Sequence, residues 1–194
     1  MKFRIHMIVL LLSIQTLVAQ EQFGISYVIS IPNNNLNKLL DGKASFRGIS
    51  FEYRHFVSDQ ISIGGNSGWT VFNNTSPQQT YSKDGVSFNA KTWSFTHTVP
   101  IQISGRYHFS KEGGMAQPFA GLGLGTTFIN QEVWIGLATI KESHWNFSFY
   151  PEAGFIIDLG GTDAIISTQY NYVVNGHFQK KGLDYWNFKF GVLF

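Results

Sequence analysis

The residues best able to do nucleophilic chemistry in this chain are histidines with a nearby serine. His108 precedes Ser110 by two positions and Glu112 follows, while His144 lies four positions before Ser148. A hydrolase needs a nucleophile, a base and an orienting acid that meet in space. We expect His108 and Ser110 to share one face near the end of a strand, within reach of Glu112. This spacing alone does not build a triad, so we predict that the chain is not an enzyme and has no catalytic residues.

Other motifs in the chain do not predict a cofactor or a metal site. Glycines alternate over residues 121–125, whereas a dinucleotide fingerprint needs G-x-G-x-x-G between a strand and a helix. Alternate glycines on one strand face are more typical of relieved crowding or of bending. His55, His97 and His177 lack the spacing of metal ligands, and the chain has no cysteine. We therefore expect no cofactor and no metal.

Five charged residues alternate with apolar neighbours, on what we predict to be the polar face of four strands. They are Glu52, Arg54, Arg106, Glu152 and Lys189. Two acids and three bases in a narrow interior should form a hydrogen-bonded ion-pair network, because unpaired buried charges are costly. Eight strands leave an interior that side chains just fill. We interpret the cluster as a plug, extended by Gln169 and Asn171, with a conducting pore as the alternative.

Polar and apolar residues alternate with a period of two along most of the chain, which predicts β-strands. The strands are predicted at 22–32, 45–57, 60–72, 92–109, 117–133, 144–158, 163–174 and 183–194. Short turns alternate with longer, more polar loops, and the loop 73–91 is expected to be mobile. The other long loops are 33–44, 134–143 and 175–182. This arrangement is typical of an all-β, eight-stranded antiparallel up-and-down transmembrane β-barrel.

The tryptophans distinguish this barrel from a soluble β-sandwich, which would give the same alternation. Five tryptophans lie near the long-loop ends of predicted strands, with the parity of the apolar face: Trp69, Trp93, Trp134, Trp145 and Trp186. Tryptophan collects at membrane–water interfaces, where its apolar ring meets polar headgroups. We therefore predict five rings at one height, forming an aromatic girdle around a barrel whose apolar face meets lipid.

The first residues have the pattern of a secretory signal peptide. Lys2 and Arg4 precede a short apolar run, and Ala19 precedes the expected cleavage point. This divides the chain into a signal peptide, residues 1–19, and a barrel domain, residues 20–194. Charged residues make up only 13% of the chain, and removing Lys2 and Arg4 from its 14 bases leaves 12 against 12 acids. A neutral mature chain argues against a nucleic-acid partner.

The last strand and the central hairpin resemble a known family. The chain ends on an alternating aromatic strand with Trp186, Phe188, Phe190 and the terminal Phe194, which resembles the signal that outer-membrane barrels present to the barrel assembly machinery. The segments similar to the small outer-membrane β-barrel proteins related to OmpX, OmpW and the opacity proteins are 100–109, 118–125 and 150–155. The resemblance implies an integral protein of the bacterial outer membrane, in contact with its lipids. It implies no particular activity, because such folds host unrelated roles.

For the function we predict a structural or interaction protein. A sealed barrel would act through the loops that it presents outside, or within a larger outer-membrane assembly. The alternative is a narrow, porin-like pore or transporter for small or apolar solutes. A lipid-modifying outer-membrane enzyme is the third interpretation, because lipid-modifying barrels use histidine with serine or acidic groups. The sequence names no protein partner.

Overall fold

The computed structural model describes residues 21–33, 36–37, 43–83, 86–109, 115–135, 138–176 and 181–194. Within them the chain forms eight strands: β1 Glu21–Asn33, β2 Ser45–Ser58, β3 Ile61–Lys83, β4 Val86–His108, β5 Ala116–Ile135, β6 Ala138–Asp158, β7 Asp163–Gly176 and β8 Lys181–Leu193. Each strand pairs antiparallel with the next, and β8 pairs with β1. The chain is therefore a closed, all-β, up-and-down barrel, which confirms the predicted fold.

The predicted signal peptide, residues 1–19, lies outside the described residues. Among the residues that the structure describes, none belongs to a helix that is long and apolar enough to cross a membrane.

The register between strands sets the tilt and the width of the barrel. One row of paired residues starts at Phe23, passes through Tyr53, Gly65, Ile103, Leu124, Phe149, Tyr172 and Asp184, and returns to β1 at Asn33. The row returns ten residues further along β1, from position 23 to position 33. In an eight-stranded barrel this offset corresponds to a strand tilt of about 40° and to an interior just wide enough for side chains.

Alternate residues of β2 show which face of the wall is apolar. Phe51 and Tyr53 point outward and are 41% and 45% exposed, whereas the inward Glu52 and Arg54 are 3% and 1% exposed. Around the barrel, most large exposed residues are apolar or aromatic, and most buried ones are polar or charged. A water-soluble protein has the opposite arrangement. The prediction that apolar residues face outward and polar ones are enclosed is confirmed, and a soluble sandwich with an apolar core is excluded.

The interior is apolar at both ends and polar between them. The buried cluster at the short-turn end, where β1 begins and β8 ends, consists of Phe119, Ile156, Ile165 and Leu193. The buried cluster at the opposite end, here called the hairpin end, consists of Leu36, Phe72, Ile129, Val173, Leu183 and Tyr185. Lys189 lies on β8 midway between Leu193 and Tyr185. The charged residues are therefore enclosed between two apolar layers.

Two of the predicted long loops are largely β-hairpin. β3 continues to Lys83 and β4 begins at Val86, so most of the predicted loop 73–91 is strand. In the same way β5 runs to Ile135 and β6 begins at Ala138. The prediction of a loop at 73–91 was wrong. Pairing of β3 with β4 continues through the segment with one irregularity, so backbone hydrogen bonds order it although its side chains are polar.

One of the alternate glycines makes room for a buried aromatic ring. A Cβ atom built on Gly123 would lie only 2.3 Å from ring carbons of Tyr150. Tyr150 is 1% exposed, and its hydroxyl donates to the side-chain oxygen of Asn66 at 2.9 Å. The predicted role of the glycines in relieving crowding is confirmed at this position.

Replacing Gly123 by alanine should lower the free energy of unfolding by about 1–3 kcal/mol, because the added methyl group must displace the packed Tyr150 ring. The matched control is Gly105→Ala on β4, where a Cβ atom would meet only the Ser62 carbonyl oxygen, at 3.9 Å. Urea unfolding in detergent micelles, followed by tryptophan fluorescence, should show a lower midpoint for the Gly123 variant alone. Equal midpoints for the two variants would contradict the packing described.

Candidate functional site

Inward positions on β2, β4, β6 and β8 bring five charged side chains together. They are the five predicted from the sequence: Glu52, Arg54, Arg106, Glu152 and Lys189, all buried. Each side chain points inward because it alternates with outward apolar neighbours on its strand. We refer to these five residues as the charged network.

Arg106 holds both carboxylates of the charged network. Its Nη1 and Nη2 atoms donate to the two carboxylate oxygens of Glu52, each at 2.8 Å. Its Nε and Nη2 atoms donate to the oxygens of Glu152 at 2.9 and 3.0 Å. Since β2 and β6 are four strands apart in a barrel of eight, one planar guanidinium connects opposite walls through charge-assisted hydrogen bonds.

Arg54 and Lys189 lie around this contact at longer distances. Arg54 nitrogens are 3.9 Å from an oxygen of Glu52 and 3.9 Å from an oxygen of Glu152. The Nζ atom of Lys189 is 3.6 Å from Glu152. Distances of this length are consistent with ion pairs and are too long for good hydrogen bonds. Three bases therefore surround two acids, and each buried carboxylate has opposite charge beside it.

Neutral polar side chains extend the charged network toward the hairpin end. Gln102 Nε2 and Thr127 Oγ1 both donate to the Ser148 hydroxyl oxygen, each at 2.9 Å. The predicted extension residues Gln169 and Asn171 are buried in the same interior. This layer fills the space between the charged network and the apolar cluster at the hairpin end.

His108 lies at the short-turn end of the interior, and its partner there is Ser62. The two are buried, with His108 Nε2 3.0 Å from Ser62 Oγ, and the histidine ring packs against Phe119 with centroids 6.0 Å apart. The expected partners Ser110 and Glu112 lie outside the described residues. Within the described part of the chain no carboxylate accepts a hydrogen bond from the His108 ring. Within the described residues, this buried pair therefore lacks the orienting acid of a triad.

Sequence reasoning missed Ser62 and Tyr150 as interior residues. Tyr150 shares the parity of Ser148 and Glu152 on β6, which was the signal that could have placed it inside. Ser62 is brought to His108 by the pairing of β3 with β4. A single sequence carries no signal for that contact.

The five tryptophans all lie on the outer face but not at one level. Trp93 is opposite Thr75 on β3, six residues beyond Trp69 on that strand, and it is also opposite Trp134 on β5. Six residues correspond to about 20 Å along a strand and to about 15 Å along the barrel axis. The prediction of five rings at one height was wrong, because the long hairpins carry Trp93 and Trp134 outward.

Trp69 and Trp186 do lie at one level. The row through Trp69 reaches β8 at Phe190, four residues nearer the short-turn end than Trp186. Because a row of paired residues climbs ten residues in one circuit of eight strands, it drops by about 1.25 residues at each step from β3 to β2, β1 and β8. Three steps lower the row by about four residues, which is the separation of Phe190 from Trp186. Trp145 is opposite Phe128, well short of the outer pair. A role for these tryptophans at the membrane–water interface stays a prediction.

The aromatic residues of the predicted assembly signal lie on the outer wall of β8. Trp186, Phe188, Phe190 and Phe194 are all exposed. The Phe194 N–H donates to the Phe23 carbonyl at 2.8 Å, and the Phe23 N–H donates to the Phe194 carbonyl at 3.0 Å. The last residue is therefore hydrogen-bonded into the seam between β8 and β1, and its role in assembly stays a prediction.

Comparisons with known proteins identify the fold and leave the activity open. No family model matches the chain, and no curated protein matches it in sequence. Neisserial surface protein A has a similar structure, with 13% identity and a TM-score of 0.58 over 90% of this chain and 97% of its own. The attachment invasion locus protein Ail of Yersinia pestis, solved in complex with the heparin analogue sucrose octasulfate, has 14% identity and a TM-score of 0.54 over 92% of this chain and 100% of its own.

The fold is that of the small outer-membrane β-barrels. This confirms the resemblance drawn from the terminal strand and the central hairpin. At identities this low the likeness carries no activity from one protein to another. In this barrel, the charged network and the two apolar clusters are the features that bear on function.

Replacing Arg106 by methionine should lower the free energy of unfolding by about 3–5 kcal/mol, because Glu52 and Glu152 lose the cation that joins them. Arg106→Lys keeps the charge without the planar fork and should fall between the wild type and the methionine variant. The triple variant that adds Glu52→Gln and Glu152→Gln should be no more stable than Arg106→Met, because it leaves Arg54 and Lys189 buried without a carboxylate. Urea midpoints in micelles measure all three effects.

The control for Arg106 is Lys141→Met, which removes an ion pair of 3.0 Å with Glu132 on the exposed surface of the hairpin. Solvent screens such a pair, so its loss should leave the midpoint almost unchanged. If Arg106→Met and Lys141→Met shifted the midpoint equally, the charged network would not stabilise the barrel.

Proposed function

We propose that this protein is a sealed barrel of the bacterial outer membrane that acts, in a structural or interaction role, through the hairpins it presents outside. The observation that carries the proposal is the contact of Arg106 with both Glu52 and Glu152 across the interior. A side chain bonded to opposite walls occupies the path that a solute would need to follow.

The apolar clusters support a sealed interior. A vestibule of about 360 Å³ at the short-turn end is lined by Gln22, Phe56 and Asp163 and ends against Ile156 and Leu193. These last two residues belong to the apolar cluster at that end. Water and ions would have to cross this layer, then the charged network, and then a second apolar cluster.

Packing beside the charged network also supports a plug. A void lined by Gln169, Asn187 and Lys189 has a volume of about 10 Å³, which is close to the least that can hold one water molecule. An eight-stranded barrel with this register has room for side chains and little else.

Placement in the outer membrane is supported by the fold and by the surface of the wall. Exposed Ile, Leu, Phe and Tyr side chains cover the outside of the strands, as expected where the wall contacts lipid. The sequence pattern of residues 1–19 supports export, with cleavage after Ala19. The aromatic β8 strand, followed by Phe194, supports insertion by the barrel assembly machinery.

The hairpins β3–β4 and β5–β6 are the parts that could meet a partner. They carry the facing pair Trp93 and Trp134 about 15 Å beyond Trp69 along the axis. Lys91 lies over the Trp93 ring with its Nζ atom 5.3 Å from the centroid, so this surface is both aromatic and charged. An aromatic surface of this kind suits contact with a protein or with headgroups.

Single-channel recording in planar bilayers tests the sealed interior. The wild-type barrel, inserted at known amount, should give no discrete conductance steps, because the charged network and both apolar clusters close the path. A porin recorded in the same bilayer system is the positive control. Steps from the wild type would overturn the sealed barrel and support the alternative, a narrow pore for small solutes.

A further inference from the structure

The outer wall of the barrel carries two hollows, one above the other along β3. The lower hollow, about 620 Å³, has the smallest outward residues of β3, Gly65 and Ser67, at its floor. Its sides are formed by the larger residues Phe51, Tyr53, Ile101 and Ile103 on β2 and β4. Ser67 donates its hydroxyl hydrogen to the Pro100 carbonyl at 2.9 Å, so the polar group at the floor is already paired. The lower hollow is therefore an apolar groove.

The upper hollow, about 580 Å³, lies directly beyond it toward the hairpin end. Aromatic side chains form much of its lining, with Tyr27, Phe46, Trp69, Phe95 and Trp134. Trp69 follows Ser67 by two positions on the same face of β3, and so the two hollows adjoin at this ring. The Trp69 Nε1–H donates to His97 Nδ1 at 3.3 Å, which fixes the ring at the junction.

A β-bulge places a cation at the rim of the upper hollow. Pairing of β1 with β2 shifts between Val28 and Ser30, so that Phe46 and Arg47 together face one residue of β1. Both are exposed, although neighbours in a regular strand would point to opposite faces. The Tyr27 hydroxyl donates to the Phe46 carbonyl at 2.5 Å and holds the bulge. Without this extra residue Arg47 would not share the outer face with Phe46.

The charge at this rim is positive. Among the described residues no carboxylate lies within ion-pair distance of Arg47. Glu132 also lines the upper hollow, but it accepts hydrogen bonds from Lys141 at 3.0 Å and from Trp134 Nε1 at 3.3 Å. Its charge is therefore compensated within the β5–β6 hairpin.

We infer that the two hollows together bind one phosphate-bearing lipid of the surrounding membrane. The lipid phosphate contacts the guanidinium of Arg47, and an acyl chain passes Trp69 and lies over Gly65. Arginine is suited to this role because its planar fork matches phosphate oxygens. Small residues at the floor let the chain approach the backbone closely. The inference rests on the membrane placement proposed above, because lipid is the ligand that such a wall meets.

Lipid retention in dodecyl maltoside micelles, read by native mass spectrometry, tests the site. The wild type should retain one molecule of dioleoyl phosphatidylglycerol and should retain neutral dioleoylglycerol about tenfold less well, because the charge-assisted contact is missing. Arg47→Gln should reduce phosphatidylglycerol binding to the level of the neutral lipid. Lys43→Gln, which removes an exposed cation that lines neither hollow, should leave binding unchanged.

The acyl-chain groove has its own matched pair of variants. Gly65→Leu fills the lower hollow, and a Cβ atom there meets the Gln102 carbonyl oxygen at an ordinary 3.6 Å, so the strand should still fold. Gly105→Leu adds the same side chain outside the hollow, where the nearest atom to its Cβ is at 3.9 Å. Only Gly65→Leu should weaken retention. Inorganic phosphate should fail to displace the lipid, because it has no chain to place in the groove.

Three results would overturn the lipid site. These are equal retention of the charged and neutral lipids, equal retention by Gly65→Leu and Gly105→Leu, and burial of the hollows in a dimer of two copies of this chain. Insertion of the wild type into liposomes is measured separately. A barrel that inserts and fails to discriminate lipids contradicts only this inference, whereas a barrel that does not insert contradicts the proposed function as well.

Discussion

Arg106 can reach Glu52 and Glu152 together only because β2, β4 and β6 all turn their polar faces toward one enclosed space. Enclosing those faces leaves the apolar faces outside, where Phe51 and Tyr53 are exposed. Two carboxylates inside an apolar wall would be costly if they stood alone. The ion pairs therefore stabilise an arrangement in which polar side chains are enclosed and apolar side chains face outward. A barrel with this arrangement requires an apolar environment around it.

Closure of the sheet connects the interior to the surface. The ten-residue offset between Phe23 and Asn33 fixes the width of the barrel at about what a layer of side chains fills. The same offset sets the level of every outward residue. It places Trp69 level with Trp186, while the long hairpins carry Trp93 about 15 Å further out. The proposed sealed interior and the projecting hairpins suit a protein that acts at its surface.

Much of this arrangement could be predicted from the sequence because side-chain alternation is a local property. Parity alone was enough to place Glu52, Arg106 and Lys189 in one interior. The contact of His108 with Ser62 and the level of Trp93 could not be predicted in that way. They depend on the register between strands, which one sequence does not specify when hairpin lengths are unknown. The polar residues of 73–91 also led to the wrong prediction of a loop there. The strands in this segment pair through backbone hydrogen bonds, which do not require apolar side chains.

Contact quenching of single-tryptophan variants in bilayers tests the outward-facing apolar wall most directly. Each variant keeps one tryptophan and replaces the other four with phenylalanine. Lipids brominated in the acyl chain should quench Trp69 and Trp186 strongly, and aqueous iodide should quench Trp93 instead. If neither lipid nor iodide reached Trp69 and Trp186, these rings would lie in a dry protein interior, and the account of an enclosed polar core within an apolar wall would be contradicted.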